Sequence, residues 1–269
     1  MRIYIIGNDG ITLCREPPAA VSKGEIVVAS TEELHAAPLS GKRLLALWNA
    51  LPGVEKRRKV GDRAALIDQL WSWSHAVGHR FVKGLFAGAV PDAVMARYLI
   101  QDHRFLDSFL TLLGAVLASA DTFAARLRFG RFIGMVSSEE NTYFLRAFEA
   151  LGVTEDRRAA DPDTQPTAGF QAIMREAAET RSYAGALSVL VVAEWLYLDW
   201  ASRAPKPLPD NFVHAEWITL HDNLGFRGFV DFLRAELDRV GPAQADLCRD
   251  FFRRAVALEL SFFEAAYAE

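Results

Sequence analysis

The chain is poor in cysteine. Its 269 residues contain two, Cys14 and Cys248, far apart in sequence. That argues against a disulfide framework and makes a reducing cytoplasm the expected setting. A strong charge of one sign is also missing. The net charge of −4 gives no basic field and argues against nucleic acid as a partner. The start, MRIYIIGNDG, has no long apolar run behind a basic end, so no secretory signal is expected. Long hydrophobic runs are missing too. The longest, Ala184 to Val192, is interrupted by Ser188 and ends just before Glu194. A bilayer crossing needs about 20 residues, so no membrane partner is expected. No internal repeat is evident.

What is present is apolar material, 51% of the chain, enough for one large core or for a core with a small appendage. Residues 1–71 read as a small α+β domain. Ile3-Tyr4-Ile5-Ile6 enters a turn at Asn8-Asp9-Gly10, with Ile11 to Cys14 as hairpin partner. Ile26 to Ala29 is a third strand, and Ser30 or Thr31 caps a short helix. A helix through Leu44, Leu47 and Trp48 is stopped by Pro52-Gly53. The basic cluster Lys56 to Lys59 reads as a solvated loop, with phosphate contact as the alternative. Another helix runs from Asp62 to about Trp73. The stretch GKRLLALWNALPGVEKRRKVGDRAALIDQLW resembles a small bacterial domain of unknown function.

Residues 72–269 read as helix after helix. Pro91-Asp92 opens one that runs to about Ser119. Asp121 is expected to cap the next, continuous past Glu139 and Glu140 to Leu151-Gly152. Thr154 to Pro166, rich in Asp, Thr and Pro, reads as an exposed loop. Helices follow at about 167–179, 182–203, 211–223, 225–240 and 242–269, with Ala204 to Pro209 as a hard break. Short connections between helices argue for an all-α bundle. The helix 182–203 is apolar nearly all round and is expected at its centre.

Three carboxylates interrupt apolar helix faces: Asp102, Glu194 and Glu259. Each is followed three residues later by an aromatic, Phe105, Tyr197 and Phe262, on the same face. An ionised carboxylate in such a stripe costs several kcal/mol unless it is paired or hydrogen-bonded. Three of them on three helices point to a polar pocket inside the bundle. The structural alternative for Glu194 is a buried ion pair with Arg97 or Arg131. Glu139 and Glu140 are expected to be structural, Glu139 on a solvated face. Cys248 lies on nearly the same face as Glu259 but about 16 Å along the axis, and reads as a core residue rather than a nucleophile.

The segment HRFVKGLFAGAVPDAVMARYLIQDHRFLDSFLTLLGAVLASA resembles the opening of TenA proteins, the thiaminase II group. The likeness continues at Glu140, FEALGV, PTAGF (166–170), Glu194-Trp195-Leu196-Tyr197, Glu216-Trp217-Ile218 and Glu259 to Ala266. The resemblance implies a haem oxygenase-like helical bundle and hydrolysis of thiamin or its degraded aminopyrimidines in thiamin salvage. It also implies a homo-oligomer. One branch of that family uses a cysteine four residues before a tyrosine of the central helix, a position held here by Ala193. The other carries a glutamate three residues before it, as Glu194 stands to Tyr197. The resemblance therefore implies the glutamate-type branch. The family's tyrosines are replaced at Phe105, Phe170 and His221.

Hydrolysing a C–N bond needs a base to activate water and an acid to protonate the leaving nitrogen. Glu194 and Glu259 are the expected pair, with Tyr197 holding a catalytic carboxylate or the water. Asp102 is expected to accept from the exocyclic amine of an aminopyrimidine substrate. Phe105 and Phe262 would sandwich or flank its ring, and Phe170 and His221 complete the substrate wall. No cofactor is called for. Two alternatives stay open. A haem oxygenase-like di-iron oxidase would need histidines converging with carboxylates. His214 and His221 could share a face, but no Glu-x-x-His motif occurs in the bundle, and His75, His79 and His103 read as boundary or outer-face residues. The second alternative is a non-catalytic small-molecule-binding protein.

Overall fold

The computed structural model describes residues 3–7, 11–14, 18, 20–50 and 58–268, which form two compact units, Met1–Gly78 and His79–Glu269. In the first, β1 (Ile3–Ile6) is the middle strand of an antiparallel sheet between β2 (Ile11–Cys14) and β3 (Ile26–Val28). Ile6 pairs with both Ile11 and Ile26. Tyr4 and Ile6 are buried while Ile3 and Ile5 are half-buried, the period-two pattern of a strand with one covered face. The Asn8-Asp9-Gly10 turn lies outside the described residues.

Ser30 caps α1 (Thr31–Ala36), its hydroxyl accepting from the Glu33 amide. Then comes α2 (Gly41–Ala50), which buries Leu44, Leu47 and Trp48. It is tied to β1 by Arg43, whose guanidinium donates to the Ile6 carbonyl at 2.8 Å. Pro52-Gly53, Lys56 and Arg57 fall outside the described residues, whereas Arg58 and Lys59 are exposed. In α3 (Arg63–Val77), Leu66, Ile67, Leu70 and Trp73 are buried. His75, expected near the surface, is buried as well. Its ring lies against Tyr4 and Trp71, and its Nδ1 meets the Trp71 carbonyl at 2.9 Å.

The second unit is helical throughout. It runs α4 (Arg80–Phe86), α5 (Asp92–Ser119), α6 (Phe123–Met135), a π-helical turn Val136–Glu140 and α7 (Asn141–Ala150). Then follow α8 (Glu155–Ala160), α9 (Gln165–Glu179), α10 (Tyr183–Ala201), α11 (Phe212–Leu220), α12 (Leu224–Val240) and α13 (Ala245–Ala265).

Three expectations are corrected here. The cap of α6 is Thr122, which accepts from the Ala125 amide, because Asp121 is engaged by Arg239 at 2.7 Å. The stretch 154–166 contains α8. No residue of α8 is buried, so it has no apolar face to betray it. It rests on its Thr154 cap, on acids in its first turn and on arginines in its last. His79, expected at a boundary or outer face, is fully buried, caps α4 and meets Glu264 at 3.0 Å.

At the centre lies α10, buried along its whole length except at Leu198. It packs against α5, α9, α12 and α13. Burying one of its leucines or valines contributes about 1.5–3 kcal/mol. Taken as a whole helix, α10 is long and apolar enough to cross a membrane, and 94% of that apolar window is covered within the bundle, as befits a core helix. α9 approaches α13 closely at Gly169, where a Cβ would stand 2.6 Å from a Leu258 methyl. The next residues on the two helices, Phe170 and Glu259, belong to the site described below.

Candidate active site

A cavity opens into the helical unit; together with the solvent at its mouth it encloses about 810 Å³ of empty space. All eight residues singled out from the sequence line it: Asp102, Phe105, Phe170, Glu194, Tyr197, His221, Glu259 and Phe262. Three helices deliver the acids, α5, α10 and α13, and in each the three-residue spacing brings an aromatic to the same face. Asp102 and Glu194 are 7% exposed and Glu259 is 2% exposed, so all three are withdrawn from bulk water.

None of these acids forms an ion pair with a described residue. Arg97 instead donates to the Ala266 carbonyl and Arg131 is exposed, so neither neutralises Glu194. Burial is the main influence on each carboxyl. It pushes Asp102 well above the usual carboxylate range, with the charge of Glu140 adding to it. Glu259 is raised by burial and then by Asp102. Glu194 is raised by burial and then by Glu140, Glu259 and Asp102. The cavity lining contains no lysine or arginine.

The rings do not form a slot. Phe105 and Phe262 stand 6.5 Å apart at 60°, and both meet Phe170, at 5.1 and 6.1 Å. A ring held between two others needs them parallel and about 7 Å apart, twice a carbon contact. These three phenylalanines therefore make one wall that can flank a flat ligand but not sandwich it.

The Tyr197 hydroxyl is bonded to the hydroxyl of Tyr98 at 2.6 Å, and not to a carboxylate. One proton joins the pair, so the other hydroxyl proton stays available to donate elsewhere. His221 follows α11 as its C-cap. Its Nδ1 donates to the Trp217 carbonyl at 2.8 Å, which leaves Nε2 an acceptor. Burial pushes its pKa down to about 4, so the ring is neutral at pH 7. His214, two turns earlier, does not join it. Its neighbours are Val90 and Asp92. Among the described residues no group of three His, Cys, Asp or Glu side chains could hold a metal ion.

Sequence reasoning missed two groups. Tyr98, on the same apolar face of α5 as Asp102, is the partner of Tyr197. Glu140, expected to be structural, lines the cavity, and burial lifts its pKa to about 7. Its signal in the sequence was hidden by the π-helical turn, which breaks the 3.6-residue period. Ala193 lines the cavity. Cys248 is absent from that lining, and its sulfur points to the Ala184 carbonyl.

The model of the TENA/THI-4/PQQC family matches residues 66–269. The chain belongs to this family. Solved TenA structures share the fold of the helical unit. A TenA homologue from P. horikoshii OT3 is 20% identical with a TM-score of 0.67, covering 76% of this chain and 97% of that one. A protein of Silicibacter sp. TM1040 described as a TenA family transcription regulator is 20% identical with a TM-score of 0.66, covering 74% and 92%. One of Sulfolobus solfataricus P2 described as a TenA-like thiaminase is 16% identical with a TM-score of 0.63, covering 76% and 94%. No curated protein matches the chain. In this TENA/THI-4/PQQC family member the matched segment begins inside α3, whereas the compact helical unit begins at His79.

Proposed function

We propose that this protein hydrolyses C–N bonds of aminopyrimidines derived from thiamin, as a glutamate-type member of its family acting in thiamin salvage in the cytoplasm. The observation that carries the reading is the gathering of Asp102, Glu194 and Glu259 in one aromatic-walled cavity without a cation. The alanine at position 193 removes the thiol route at that position. The description of one structural relative as a TenA-like thiaminase supports the chemistry.

In this proposal Glu194 keeps its proton, because it has the most acidic neighbours. Glu259, raised by Asp102 alone besides burial, is the carboxylate that ionises. Two coupled acids share protons as a pair, and opposite assignments of acid and base follow from unequal surroundings. With an aminomethyl-aminopyrimidine, Glu259 takes a proton from water as the water oxygen bonds to the methylene carbon. The C–N bond breaks, and Glu194 gives its proton to the departing nitrogen of the neutral amine; a substrate bound as its ammonium already carries that proton. The products are the hydroxymethylpyrimidine and ammonia. A formylated substrate would meet the same pair at its amide carbon. Asp102 holds the pyrimidine edge by accepting from the exocyclic amine. The Tyr197 hydroxyl and Nε2 of His221 orient water and ligand, against the wall of Phe105, Phe170 and Phe262.

The division into a small domain of residues 1–71, a TenA-like bundle of 72–269 and assembly as a homo-oligomer belong to the same proposal. One feature favours a second reading: a separate N-terminal unit, joined to a fold that one relative described as a regulator also has. In that reading the cavity binds an aminopyrimidine without changing it. Product analysis separates the two, since a binder returns the aminopyrimidine unaltered while a hydrolase releases hydroxymethylpyrimidine.

A further inference from the structure

The proposed chemistry leaves one acid of the cavity unused. Glu140 is the last residue of the π-helical turn Val136–Glu140. Such a turn adds a residue to the helical register, which ordinary helix packing does not favour, and it recurs at functional sites. Here its two end residues, Val136 and Glu140, line the cavity, and Glu139 stands exposed at the rim beside Met135. The usual structural uses of a glutamate are missing. Glu140 precedes α7 but makes no side-chain capping bond. It forms no ion pair or hydrogen bond with a described residue.

The composition of the lining gives Glu140 a partner by exclusion. Five acids line the cavity, Asp102, Glu139, Glu140, Glu194 and Glu259, and no lysine or arginine does. The one histidine is neutral. Phenylalanine faces add further attraction for a positive charge. Glu140 is half-buried where Asp102, Glu194 and Glu259 are buried, and its neighbour Glu139 is exposed, which sets Glu140 toward the mouth of the acid cluster.

We propose that Glu140 is a specificity-determining residue that selects ligands carrying a cationic amine and binds that ammonium group on the mouth side of Asp102 and Glu194. The inference takes its ring chemistry from the aminopyrimidine reading, but the charge preference stands on the lining alone. Among aminopyrimidines it favours the free aminomethyl compound, protonated at neutral pH, over its neutral N-formyl counterpart.

Two probes of one shape isolate the charge: benzylamine, a cation at pH 7, and benzyl alcohol. Calorimetric titration of the wild type is expected to show benzylamine binding at least about tenfold more tightly, the worth of one hydrogen bond to a charged group. Glu140→Gln should remove most of that preference and leave benzyl alcohol unchanged. A preference that survives intact in Glu140→Gln overturns the proposal. Should that variant fail to fold by circular dichroism, Glu140→Asp, which withdraws the carboxylate without removing it, must weaken benzylamine alone. In turnover assays Glu140→Gln should raise KM for the aminomethyl substrate about tenfold with kcat within a few-fold, and spare the N-formyl substrate. A fall in kcat at unchanged KM contradicts a specificity role. A wild type that turns over neither aminopyrimidine sinks the hydrolase reading and leaves Glu140 to be judged by the benzylamine titration.

Discussion

Glu194 and Glu259 carry a cost that the fold does not recover. Each is buried without a cation, and each would be more comfortable as a neutral amide. Glu194→Gln and Glu259→Gln are therefore expected to lower kcat by about 100- to 10,000-fold each, the usual worth of a positioned acid or base. The double variant should be little worse than the poorer single one, because the two act as a unit. Asp102→Asn should act chiefly on KM, since its role is to hold the ring edge. Thiols should be dispensable. Cys248→Ala is expected to keep turnover within a few-fold, and a loss of activity without unfolding would show a misplaced nucleophile. At this scale the sequence was informative where a charged residue broke an apolar stripe, as at all three acids. It was silent on Tyr98, because a tyrosine on an apolar face looks like core, and its bond to Tyr197 joins two helices remote in sequence.

At the scale of the element, the spacing of apolar residues revealed α5, α9, α10 and α12 to within a residue or two, since each buries a continuous face. α8 was missed because it buries nothing, and the cap of α6 because Asp121 and Thr122 are both good caps by type. Only the Arg239 side chain, 118 residues from Asp121, decides between them. Replacing the true cap, Thr122→Ala, should cost about 1 kcal/mol, read as a lower Tm. An unchanged Tm would return the cap to Asp121. The close approach of α9 and α13 at Gly169 makes a second prediction. Gly169→Val puts a branched side chain where a Cβ already stands 2.6 Å from Leu258, and overpacking of this kind costs about 1–3 kcal/mol. Turnover should fall as well, because the strain is applied beside Phe170 and Glu259. The π-helical turn was read as uninterrupted helix. A one-residue change of register leaves no mark in composition, yet it aims Glu140 into the cavity.

For the whole molecule, a buried acid cluster without cations sets a pH dependence of stability. Asp102, Glu140, Glu194 and Glu259 all have folded-state pKa values raised above their ordinary ones. The folded protein therefore holds more protons than the unfolded chain between about pH 4.5 and the raised values, and stability falls as pH rises through that window. His221, lowered to about 4, acts oppositely, favouring the folded state as pH climbs from about 4 to 6.5. Above that point the acids act unopposed by it, so Tm should drop between about pH 6.5 and 8. Glu194→Gln should flatten that drop and melt higher than the wild type at pH 8, gaining stability where it loses activity. A Tm for Glu194→Gln below that of the wild type at pH 8 would mean that the carboxylate is paired after all. The account's central claim is that these acids cleave an aminopyrimidine C–N bond. Steady-state release of hydroxymethylpyrimidine from 4-amino-5-aminomethyl-2-methylpyrimidine, by the wild type and by Glu194→Gln side by side, tests it most directly. The account predicts steady turnover by the wild type and a loss of at least about 100-fold in the folded variant. Near-normal turnover by Glu194→Gln, or recovery of the aminopyrimidine unchanged from the wild type, would contradict it.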